Sequence, residues 1–311
     1  MIVAEQLVRA YGENEAVAGV DLDVADGEIY GFLGPNGAGK STCVRMLCTL
    51  LLPTAGRAEV AGFDVATQPS EVRLRIGVAL QDASLDPKQS GRELLHLHAR
   101  LYGLSKSVAQ GRIADLERLV DIGDALDRRI SSYSGGMRRR LDLAASLLHE
   151  PNILFLDEPT TGLDPVSRAA VWDEVRRLNE ESGMTIFLTT QYLEEADELA
   201  HRVGIIDHGK IVAEGTPAEL KRTVGTDVVV AKISGDAEHA CAALRNVRGV
   251  SSVEQHGDEI TVAVEDGPSL LSPVALALAE HHVKVVGLTL RTPTLDDVFL
   301  DVTGARMQET A

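Results

Sequence analysis

The chain has 311 residues, 44% of them hydrophobic, and a formal charge of −17 spread along its length. That is enough apolar material for one large domain or two of ordinary size, with a substantial buried core. The acidic balance excludes a general nucleic-acid binder, which carries a basic face, and leaves Arg138-Arg139-Arg140 as a local basic patch available for contacts.

In chain order, IVAEQLV, AVAGVDLDV and AEVAGF show strand-like alternation or β-branched content, broken by glycine and acidic turns. GEIYGFLG is a buried strand running into a glycine loop, and STCVRMLCTLL continues as a helix. Residues 91 to about 149 have apolar residues at three- and four-residue spacing in GRELLHLHARLYGL, SVAQGRIADLERLVDI and GGMRRRLDLAASLLHE. They are expected to form a helical subdomain inserted between the glycine loop and the next buried strand. ILFLD and TIFLTT are short apolar runs suited to central parallel strands, and VSRAAVWDEVRRLNEES between them reads as a helix, which completes a β-α-β unit. After Thr226 the order becomes β-α-β-β-α-β, expected to be a small ferredoxin-like α+β module. The domains expected are therefore 1–222 and 226–311, of α/β and α+β class respectively.

Cys43, Cys48 and Cys241 form neither a disulfide framework nor a metal-binding spacing, which points to a reducing cytoplasm. No apolar run approaches the roughly 20 residues that span a bilayer, and the N-terminus lacks the charged-then-apolar order of a signal peptide. The expectation is a cytosolic protein unless a partner holds it at a membrane. His96 and His98 lie two apart in a helix, on different faces, and Trp172 is expected to anchor its helix to the sheet.

GPNGAGKS, Gly34 to Ser41, matches the phosphate-loop pattern in full, with a buried strand before it and a helix after it. Glycines let successive N–H groups curl toward phosphate oxygens at a helix N-terminus whose dipole favours anions. Lys40 would reach the β/γ-phosphates and Ser41 would place a hydroxyl on Mg²⁺. Asp157 ends the buried strand ILFLD, where a carboxylate can hold Mg²⁺ directly or through water. Glu158 follows at once and is free to polarise a water in line with the γ-phosphate.

Further stretches narrow the class. Ser134-Gly135-Gly136-Met137 opens a helix, Gly162 to Pro165 reads GLDP, and Gln81 ends RIGVALQ. Together with GPNGAGKST (Gly34, Pro35, Asn36, Gly37, Ala38, Gly39, Lys40, Ser41, Thr42) and ILFLDEPTTGLD, residues 1 to about 222 resemble the ATP-binding subunit of an ATP-binding-cassette (ABC) transporter. The resemblance implies a P-loop fold with an antiparallel β portion and a helical subdomain, and Mg-ATP as ligand. It implies that Tyr11 stacks on adenine, and that Gln81 reaches Mg²⁺ and the attacking water. Ser134 to Met137 would contact the γ-phosphate held by the other protomer of a head-to-tail dimer, and Asp164 would link the two sites. Tyr133 and Met137 depart from the family's usual LSGGQ, while Ser-Gly-Gly is intact.

The residue after Thr189-Thr190 is usually a histidine in this family; here it is Gln191. Glutamine offers both a donor and an acceptor but carries no proton at neutral pH. Gln191 is therefore expected to sense the γ-phosphate while Glu158 alone handles the water. TTQYLEEAD and the C-terminal PTLDDVFLDVTG resemble the daunorubicin-resistance type of drug exporter, which pairs a soluble ATPase with a separate integral membrane permease. That implies a peripheral protein at the cytoplasmic face of the membrane that drives export of a drug, antibiotic or lipid-like molecule. The rival readings are a soluble ABC ATPase and a nucleotide-dependent regulatory module with slow turnover.

Overall fold

Alternating burial along the first strands builds a small antiparallel sheet. β1 (Ile2–Tyr11) pairs with β2 (Asn14–Val24), and their inward residues Ile2, Ala4, Leu7, Val17, Val20, Leu22 and Val24 are buried. β3 (Ile29–Leu33) is buried at every position, as a strand covered on both faces must be. Next come α1 (Lys40–Leu47), β4 (Ala55–Val60), β5 (Phe63–Asp64), α2 (Pro69–Arg73) and β6 (Ile76–Ala79). β4 and β5 complete the antiparallel sheet in the order β2-β1-β4-β5. The computed structural model describes residues 1–80, 85–119, 123–235, 237–257 and 259–304.

The helical region consists of α3 (Gly91–Leu101), α4 (Lys106–Leu119) and α5 (Gly135–Leu147), with two short 3₁₀ turns before α5. α3 begins on a capping box, in which Ser90 and Glu93 satisfy each other's backbone N–H. The chain then returns to the sheet through β7 (Ile153–Asp157), α6 (Pro165–Ser182), β8 (Thr185–Thr190), α7 (Leu193–Leu199), β9 (Arg202–Asp207) and β10 (Lys210–Gly215). α6 is delimited by its own chemistry: Asp164 caps it, Pro165 occupies its first turn, and Gly183 ends it at φ 65°. The large sheet has the order β10-β9-β3-β8-β7-β6, parallel throughout except for the β9–β10 hairpin. One face packs on the helical region through Leu94, Leu95, Leu141, Leu148 and Leu156; the other packs on α1 and the antiparallel sheet through Phe32, Met46, Leu47 and Phe155.

The remaining elements are α8 (Pro217–Val224), β11 (Asp227–Ser234), α9 (Ala237–Leu244), β12 (Val250–His256), β13 (Glu259–Val264), α10 (Gly267–Glu280), β14 (Lys284–Arg291) and α11 (Leu295–Thr303). Their strands form an antiparallel sheet in the order β12-β13-β11-β14, with a core of Val229, Ala231, Leu244, Ile260, Val262, Val274 and Leu278. The described chain divides into two compact units, Met1–Pro217 and Ala218–Gly304, so nearly all of α8 falls in the second. Among the described residues no helix is long and apolar enough to cross a membrane.

Candidate nucleotide site

Parallel register brings the site together. Leu33 pairs with Thr190 and Asp157 with Thr189, so the segments that follow β3, β7 and β8 leave the sheet side by side at its carboxyl edge. That edge is where open α/β sheets collect ligands.

The loop after β3 depends on glycine at two points. Gly39 has φ 107°, and a Cβ there would lie 2.3 Å from the Ala16 carbonyl oxygen. Gly37 has φ 84° with open space around it, so its requirement is purely conformational. Gly34 and Ala38 are buried, Pro35 is half-buried, and Asn36 is exposed. Gly39 also heads α1 with no side-chain cap, which leaves the helix's first N–H groups available to an anion. Ser41 and Thr42 sit half-buried in the first turn.

Lys40 is 4% exposed. Its Nζ donates to the carbonyls of Gly34 at 2.7 Å and Pro35 at 3.1 Å, and lies 3.2 Å from Glu158 Oε1. Burial lowers the pKa of this ammonium, against the opposing pull of Glu158 and Asp157. Ser41 Oγ donates to Asp157 Oδ1 at 3.1 Å, and Thr189 Oγ1 donates to the same oxygen at 2.5 Å. Among the described residues no group of three or more His, Cys, Asp or Glu is placed to hold a metal. The hydroxyl of Ser41 and the carboxylate of Asp157 nevertheless suit a hard cation that completes its shell with phosphate and water.

Glu158 has φ 49°, in the left-handed region that a non-glycine residue enters only when its surroundings enforce it. Its N–H is bound by both the hydroxyl and the carbonyl of Thr189, at 3.0 and 3.1 Å. Thr161 Oγ1 donates to Glu158 Oε2 at 3.3 Å. Gln191 follows β8 and is 6% exposed. Behind it, Glu195 of α7 is fully buried and accepts from Thr160 Oγ1 and Trp172 Nε1, both at 2.9 Å. Burial raises the pKa of this carboxyl above the usual range. The N–H of Trp172 thus ties α6 to α7.

Ser134 caps α5, accepting from the Met137 N–H at 3.2 Å, and with Gly135 it is exposed, whereas Gly136 is half-buried. Met137 packs partly onto the helical core. Tyr133 is 3% exposed, and its hydroxyl donates to the Ala125 carbonyl at 2.6 Å. The space for that hydroxyl comes from Gly91, where a Cβ would lie 2.6 Å from it. Asp164 is exposed and accepts from the N–H groups of Val166 and Ser167 and from Ser167 Oγ at 2.6 Å, contacts that hold its carboxyl below the usual range. Tyr11 ends β1 with 49% of its surface exposed, and the Arg9 guanidinium lies 4.7 Å from its ring centroid. Gln81 lies outside the described residues.

The structure therefore joins Lys40, Ser41, Asp157 and Glu158 directly, and places Gln191 at the same sheet edge. Ser134 to Met137 and Asp164 stand at the exposed amino ends of α5 and α6. Sequence reasoning missed Thr189, whose only signal was a polar residue ending a buried strand. It missed Glu195, one acid within an acidic helix. It also took Arg139 for surface patch, whereas its side chain is 12% exposed and turned inward. Cys43 and Cys48 are free and buried, and burial pushes the Cys43 thiol up to about 12, as befits packing residues.

The ABC transporter family profile matches residues 17–161, and that of the C-terminal domain of DrrA1-3-like ATP-binding proteins matches residues 215–303. The daunorubicin resistance ATP-binding protein DrrA2 of Streptomyces coeruleorubidus is 48% identical over 99% of this chain and 96% of its own length. The linearmycin resistance ATP-binding protein LnrL of Bacillus subtilis is 33% identical over 99% of this chain and all of its own. A solved ATP-binding subunit of an ABC transporter superposes with TM-score 0.65 at 27% identity, covering 72% of this chain and 92% of that one. A cassette solved as a post-hydrolysis dimer with ADP and Pi, at 23% identity and TM-score 0.64, covers 70% of this chain and 98% of its own and shares the fold. With the whole chain aligned to such relatives, it belongs to the ATP-binding proteins of ABC transporters, a family of transport ATPases.

Proposed function

We propose that this chain is the ATP-hydrolysing subunit of an exporter, working beneath a separate integral membrane permease at the cytoplasmic face of the membrane. The observation that carries the reading is the meeting of Lys40, Ser41, Asp157 and Glu158 at one sheet edge, within 3.2 Å of their partners. The loop Gly34–Thr42 and the uncapped start of α1 bind the triphosphate, with Lys40 turning from its carbonyls to the β/γ-phosphates. Ser41, Asp157 and Gln81 would hold Mg²⁺, which when bound neutralises charge developing on the phosphate oxygens. Glu158 orients the attacking water, Gln191 senses the γ-phosphate, and Tyr11 stacks on the base through the ring face that Arg9 leaves free.

Ser134, Gly135 and Asp164 are exposed in the single chain, with Gly136 and Met137 half-buried beside them, which suits contact with nucleotide held by a second cassette, head to tail. Efflux of a drug, antibiotic or lipid-like molecule is supported by relatives named for daunorubicin and linearmycin resistance and for Nod factor export. The test is a pull-down of tagged protein from detergent-solubilised native membranes, read by mass spectrometry. Recovery of one multi-spanning protein in about equal amount is expected; ribosomal or DNA-repair partners alone would remove the exporter assignment.

A further inference from the structure

Arg139 is the centre of a buried arrangement that the phosphate-site residues do not explain. It lies one turn into α5, just past Ser134–Met137, and its side chain is 12% exposed. Nη1 donates to the Leu80 carbonyl at 2.7 Å, Nε to the Pro159 carbonyl at 3.1 Å, and Nη2 to the Asp157 carbonyl at 3.4 Å. The nearest carboxylate oxygen on its own helix, Asp142 Oδ2, is 3.5 Å away, and burial pushes that carboxyl up to about 6 in spite of the guanidinium. The arginine's stronger engagements are therefore the backbone carbonyls. Two of them, Asp157 and Pro159, flank Glu158, whose φ of 49° is the left-handed value noted above. The third, Leu80, directly precedes Gln81. A guanidinium presents five N–H donors in a rigid fork, so it can bind several carbonyls from one fixed position, which an ammonium does not do.

We propose that Arg139 is a positioning residue for hydrolysis: its fork holds the carbonyls on either side of Glu158, keeps that residue in its left-handed turn, and ties the turn to the helix that begins at Ser134. Residues held in sparsely populated backbone regions persist only when surrounding contacts over-determine them. Thr189 secures the N–H of Glu158 from the β8 side, and Arg139 secures the two neighbouring carbonyls from the α5 side. With Arg139 gone, the Asp157 carbonyl, in the peptide unit that enters Glu158, and the Pro159 carbonyl, one unit beyond the one that leaves it, lose this inner partner. The carboxylate then wanders from the line of the γ-phosphate, while the phosphate loop, which Arg139 does not touch, keeps its affinity for nucleotide.

This inference rests on the reading of Glu158 as the water-orienting acid, and two arms of one experiment separate them. Purified full-length Arg139→Ala, Arg139→Lys and Glu158→Gln are compared with the parent for kcat of phosphate release and for Kd of ATP. Arg139→Ala is expected to lower kcat at least fivefold with Kd within threefold, and Arg139→Lys to fall between it and the parent. A kcat loss under fivefold, or a loss matched by equally weakened ATP binding, overturns the positioning role even when Glu158→Gln is inactive. Glu158→Gln turning over like the parent overturns the catalytic reading of Glu158, and this inference with it. Where Arg139→Ala does not fold, Arg139→Lys carries the test: at least a twofold lower kcat at unchanged Kd supports the role, and parental kcat overturns it.

Discussion

At the acidic end of β7 the functional groups are paired inside the chain, whereas at the amino end of α5 they face outward. Asp157 is bound by Ser41 and Thr189, and Glu158 by Lys40 and Thr161. Among the described residues Ser134 hydrogen-bonds within its own helix, and Gly135 has open space where a side chain would point. The first half is preorganised, as transition-state electrostatics requires. The second, on the proposed reading, is an anion site for nucleotide held by another copy. On that reading, the contrast teaches that a single copy holds the chemistry of phosphate binding and that a second copy would supply the rest of the surface that closes over it.

Substitutions at four positions test that division. Glu158→Gln removes the inward half's acid while keeping its shape, so turnover falls on the order of 10³-fold with ATP affinity within threefold. Phosphate-release kinetics beside equilibrium binding check this, and parental turnover would contradict it. Gly135→Asp adds a carboxylate to the outward half at a position with room for it. It is expected to lower turnover about 100-fold yet leave ATP binding to dilute protein intact; equal loss of both would dissolve the distinction between the halves. Gln191→Ala should reduce turnover more than about tenfold, and the parent, lacking an imidazole there, should show no titration step assignable to this position between pH 5.5 and 8. A loss below tenfold would end the sensor role. The smallest effect belongs to Tyr11→Ala, expected to weaken ATP binding about five-fold, in line with one lost stacking contact of about 1 kcal/mol. Tyr11→Trp is expected to restore affinity, and calorimetric titration distinguishes the two.

The division was only partly legible in the sequence. The phosphate loop announces itself because its constraints are local: glycines at 37 and 39 take positive φ within a few residues of Lys40. Asp157 and Glu158 are legible for the same reason, closing an apolar run. The left-handed turn at Glu158 is not, since it depends on Thr189 of the neighbouring strand and on Arg139 of α5. Arg138, Arg139 and Arg140 look alike in a string, and only the packing of α5 against the sheet sends Arg139 inward. Glu195 is hidden similarly, being one carboxylate of an acidic helix that happens to face Thr160 and Trp172. The alternation that gave the β-α-β-β-α-β order after Thr226 is a short-range signal, whereas the pairing order β12-β13-β11-β14 is a long-range outcome.

Tyr133 and Gly91 together carry a consequence for substitution. The tyrosine hydroxyl fills the volume that any side chain at position 91 would need, since a Cβ placed there would sit 2.6 Å from it. Two positions 42 apart in the chain thereby share one volume. With Tyr at 133, glycine is the residue that fits at 91 without a shift, and a smaller residue at 133 would still leave Leu126 Cδ2 3.0 Å and the Leu126 carbonyl 3.4 Å from a Cβ there. A larger residue at 91 therefore needs both Tyr133 and Leu126 to give way, so a change at 133 alone does not open the position.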